Sequence, residues 1–157
     1  MSEVAEFGRL LGKRMKETVQ VQTAYAICKS VDWEKKTMVA TGQTDDLDYI
    51  DVKLGFGAEY KKPVVGALCL IGLVENQSAN AFLIEASELE ELVIIVGESQ
   101  INIKDSGISL KRGEETFKTI LNDFINEVNK IIVVNGTTIN VGAVNAIRDR
   151  LNNVLIE

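Results

Sequence analysis

The chain has 157 residues, 46% hydrophobic and 25% charged, a balance that suits one folded domain with a real core and excludes global disorder. A formal charge of −6 disfavours a phosphate-binding surface, because nucleic-acid affinity rests on lysines and arginines that neutralise the backbone. Histidine is absent, which excludes Ser-His-Asp and Cys-His catalysis and the structural zinc sites that need histidine.

The first segment, MSEVAEFGRLLGKRMKE, places Val4, Phe7, Leu11 and Met15 at three- and four-residue steps. Ser2 is a candidate N-cap, and the spacing predicts an amphipathic helix within residues 1–18. Its narrow apolar stripe suits either packing on a β-barrel or pairing with copies of itself. Acids and bases run through the apolar positions, unlike a signal peptide, and no apolar run reaches the ~18 to 20 residues that span a bilayer. A soluble, unprocessed chain is expected.

From Val19 the period changes to two. Val19, Val21, Thr23, Tyr25, Ile27 and Val31 share one face of a long first strand, with Gln20, Gln22 and small residues on the other. A polar turn leads to Thr37–Thr41, and another to a third strand in which Ile50, Val52 and Leu54 alternate with Asp51 and Lys53. Residues 55–62, GFGAEYKK, read as a connecting loop ended by Pro63. Then PVVGALCLIGLVENQSANAFLIE gives an apolar strand, a polar turn and a returning strand, with Gly66 and Gly72 as bending points. A further apolar strand spans Leu92–Val96. These strands fit an antiparallel barrel of about five strands over residues 19–96, of the OB type.

Ile101 and Ile103, then Ile108 and Leu110, alternate with polar residues around Asp105-Ser106-Gly107, predicting a short hairpin over 97–112. Strands this short need a surface to lie on. Residues 113–157 complete the chain as a helical segment. Phe117, Ile120, Leu121, Phe124, Ile125 and Val128 form one face of a helix, and Lys118, Asn122, Asp123, Asn126, Glu127 and Asn129 the opposite one. Burying the six apolar side chains is worth ~1.5 to 3 kcal/mol each before entropy. Asn140 is the expected N-cap of a last helix whose Val144, Ile147, Leu151, Val154 and Leu155 face inward. The fold class is therefore α+β, mainly β.

No residue pattern carries chemistry. Asp45, Asp46, Asp48 and Asp51 lack the glycine and closing glutamate of a calcium loop and read as a solvated edge. Gly55-Phe56-Gly57 begins like a dinucleotide fingerprint, but Tyr60 stands at the third glycine position. Glu85, Glu88, Glu90 and Glu91 read as a solvated turn. Cys28 and Cys69 lack metal-site spacing and read as buried free thiols in a reducing compartment. No catalytic, metal or cofactor site is expected. Trp33, Tyr25 and Phe56 outline a base-stacking platform only if an acidic barrel binds single-stranded nucleic acid, the second function considered.

The segments VQTAYAICKSVDWEKKTMVATG, PVVGALCLIGLVEN, FLIEASELEELVIIVGESQINIKDSGISLKRGEETFKTILNDFINEV and INVGAVNAIRDRLNNVL resemble, in order and pattern, the phage baseplate assembly protein V type of tail spike-hub protein. The resemblance implies an OB barrel, a downstream β segment and a non-enzymatic structural role in a phage tail baseplate or a related contractile injection apparatus. It implies a homo-oligomer, a trimer by preference, assembled in the bacterial cytoplasm and resident in the virion tail among other tail proteins. The iron-holding histidine pair of some spikes is absent and the β segment is short, so direct membrane insertion is not expected. The candidate subunit interface is Phe117, Ile120, Leu121, Phe124, Val128, Val144, Ile147 and Leu151. These helix faces either seal the barrel or join subunits.

Overall fold

The structure is a computed structural model and describes residues 6, 7, 22–132, 136 and 139–156. The expected helix over residues 1–18 lies outside the described residues apart from Glu6 and Phe7, which are helical and exposed. Three strands follow, β1 (Thr23–Asp32), β2 (Thr37–Gly42) and β3 (Asp48–Lys53), joined by polar turns as antiparallel neighbours. β4 (Glu59–Pro63) joins a different sheet. The chain then returns as β5 (Leu68–Leu73), a 3-10 turn (Val74–Asn76) and β6 (Ala81–Ala86).

β1, β2, β3, β6 and β5 close into a barrel in that order. β5 runs antiparallel to both β1 and β6, and a single parallel pair, Lys53 with Phe82, joins β3 to β6. The fold is thus mainly β, with a small closed five-stranded barrel of OB-like order and two helices. The barrel unit draws on the described residues up to Lys53 and on Val65–Ser87.

Inside the barrel, small side chains win. The inward positions of β1 are Ala26 and Cys28, while Tyr25 is exposed, so the face expected to be the apolar one points out. The reason is space: Ala26, Cys28, Ala40 and Cys69 crowd the paired region of β1, β2 and β5, and a five-stranded interior leaves little room there for larger groups. Met38, Val52 and Ile71 are the larger fully buried residues of this unit.

β3 departs from strict alternation as well. Its pairing with β2 slips between Met38 and Ala40, and Asp51 has φ +58°, a bulge that turns Ile50 outward and leaves Tyr49 and Val52 buried. Gly72, expected to bend its strand, is instead the seat of an aromatic ring: a Cβ there would come within 2.5 Å of Phe82 Cζ. Gly66 does occupy a turn, at φ +93°.

The second unit holds Leu54–Val64 and the described residues from Glu88 onward. Its sheet runs β10 (Glu115–Thr116), β9 (Gly107–Arg112), β8 (Ser99–Lys104), β7 (Leu89–Val96) and β4. Two expectations are corrected here. Residues 59–63 are a strand rather than part of a loop, and the strand around Leu92–Val96 pairs with them rather than with the barrel. A barrel already closed by β3 and β6 offers no free edge, so β7 pairs with β4, and Lys62 meets Glu90 at 2.7 Å. The hairpin β8–β9 extends this sheet, which gives the short strands their support.

α1 (Phe117–Val128) and α2 (Val141–Val154) complete this unit. Thr116 caps α1 by accepting from Thr119 N at 3.1 Å, and Asn140 caps α2 as expected, accepting from Ala143 N at 3.0 Å. Beyond α2, Leu155 bridges to Ile108, and Ile156 N donates to Ile108 O at 3.0 Å. Gly107 makes room for this return, because a Cβ there would lie 2.6 Å from Val154 O.

Candidate assembly surface

α1 turns about 100° per residue, so Leu121, Ile125 and the asparagines at 122 and 129 share one side of it. The structure joins that side to α2 largely through amides. Asn122 Nδ2 donates to Asn152 Oδ1 and Asn129 Nδ2 to Asn145 Oδ1, each at 3.1 Å, and Arg148 reaches Asn126 Oδ1 at 3.4 Å. Asn129 Oδ1 is buried and accepts no hydrogen bond among the described residues. Ile125 is the one fully buried side chain of the two helices.

The other side of the apolar arc is left in water. Phe117 is 44% exposed, Ile120 52% and Phe124 64%, a strip at the i, i+3, i+7 spacing of a helix seam. On α2, Ile147 is 52% exposed and Val154 56%. Leu121, Val128, Val144 and Leu151 are half-buried. The eight candidate interface residues therefore divide: Phe117, Ile120, Phe124 and Ile147 are open, and the other four are partly covered within the unit.

Two grooves border this surface. One of about 590 Å³ is lined by Ile147, Arg150, Leu151, Asn153 and Val154. Another of about 250 Å³ lies beside β9 and α1, lined by Leu110, Lys111, Arg112, Glu115, Phe117 and Ile120. Both are predominantly apolar and open to one side, a shape that receives side chains rather than encloses a small molecule.

The sequence placed Asn122, Asn126 and Asn129 on the face of the helix opposite the apolar one. Their engagement with α2 went unrecognised, although the signal was present: asparagines at 122, 126 and 129, answered by Asn145, Arg148 and Asn152 at matching helical spacing.

The remaining polar groups serve local structure. Asp48 takes hydrogen bonds from Lys29 Nζ at 2.7 Å and Thr41 Oγ1 at 2.6 Å, which hold its carboxyl below the usual range. Asp45 accepts from Tyr49 OH at 3.0 Å and from Leu47 N at 3.2 Å, which ties the acidic turn to the strand that follows it. Glu91 is not part of a solvated turn. It is buried on β7, accepts from Asn102 Nδ2 at 2.8 Å and lies 3.4 Å from Lys104 Nζ, because β8 brings both side chains across from it.

Lys36 Nζ sits 3.3 Å from the centroid of Trp33, occupying a ring face that stacking would need. Cys28 and Cys69 are buried free thiols, and burial, with Cys28 nearby, pushes Cys69 up to about 11. Among the described residues, no cluster of three or more His, Cys, Asp or Glu side chains is placed to hold a metal ion. No described helix is long and apolar enough to cross a membrane.

No protein-family model matches the chain, and no curated protein or solved structure does either.

Proposed function

We propose that this chain is a structural, non-enzymatic part of a phage tail baseplate or spike hub, or of a related contractile injection apparatus. It acts as a homo-oligomer, a trimer by preference, and contacts other tail proteins. It assembles in the bacterial cytoplasm and stays in the virion tail. The observation that supports assembly is the inverted character of the helical hairpin: α1 and α2 meet through asparagine amides while Phe117, Ile120 and Phe124 face outward. Covering such side chains contributes ~1.5 to 3 kcal/mol each, and a second polypeptide supplies the cover.

The tail setting rests on the quoted segments together with an OB-like barrel followed by a β segment. The nucleic-acid reading gains no observation of its own, given the acidic balance and the lysine on Trp33. Antibody labelling of purified tail particles tests the proposal. Label at the tail tip supports it, and intact particles that carry no label overturn it.

A further inference from the structure

We draw no further inference here: the strongest candidate, the apolar strip of Phe117, Ile120 and Phe124 on α1 with the groove beside β9, is an unpartnered helix face, and nothing in the structure shows what covers it.

Discussion

At Gly72 a single missing side chain decides how two strands meet. An added Cβ would lie 2.5 Å from Phe82 Cζ and 2.6 Å from Phe82 Cε1, so Gly72→Ala destabilises the barrel by about 1 to 3 kcal/mol. Urea unfolding reads this as a lower midpoint, and an unchanged midpoint contradicts the packing described. Asp48 offers a second test. Its carboxyl is held low by Lys29 and Thr41, so its contribution is fully present above the unfolded-state value and is lost as pH falls through the lower folded-state value. Thermal midpoints measured below about pH 4 therefore drop less steeply in Asp48→Asn than in the wild type. Gly72 was visible in the sequence as a glycine in a strand, but its partner Phe82 comes from the return strand, and only the register reveals the contact.

The elements show where local pattern suffices and where it does not. The hairpin of β5 and β6, the β8–β9 hairpin, the two helices and the Asn140 cap follow from alternation, turn residues and helical period within short windows. β4 and the inward face of β1 do not, because pairing with β7 and the narrowness of the barrel are long-range facts. The asparagine contacts of α1 and α2 are of the same kind, since polar residues at helical spacing read equally as a solvated face. They also leave Asn129 Oδ1 buried without a hydrogen bond among the described residues, which lowers stability. Replacing Asn129 and Asn145 together by leucine removes that buried amide oxygen and raises the thermal midpoint by roughly 2 to 8 °C for ~1 kcal/mol gained. A lower midpoint shows that the amides hold the helices together better than apolar packing does.

For the whole molecule, the OB-like barrel was legible because five strands with short turns leave few closed arrangements, and the final sheet was legible only in part. The helical surface was legible as a set of apolar residues. Which of them point outward became visible only once the amides were seen to take the inner side. The central claim is that this outward face is covered by another copy. Molar mass by size-exclusion chromatography with light scattering tests it most directly, on the wild type and on Phe124→Asp, with circular dichroism as a check of folding. Phe124 is 64% exposed, so its replacement leaves the fold intact. The account predicts a wild-type mass that is a whole multiple of the 17.3 kDa chain and a folded, lower-mass Phe124→Asp variant. A wild type that runs as a monomer at high concentration, or a Phe124→Asp variant of unchanged oligomeric mass, contradicts it.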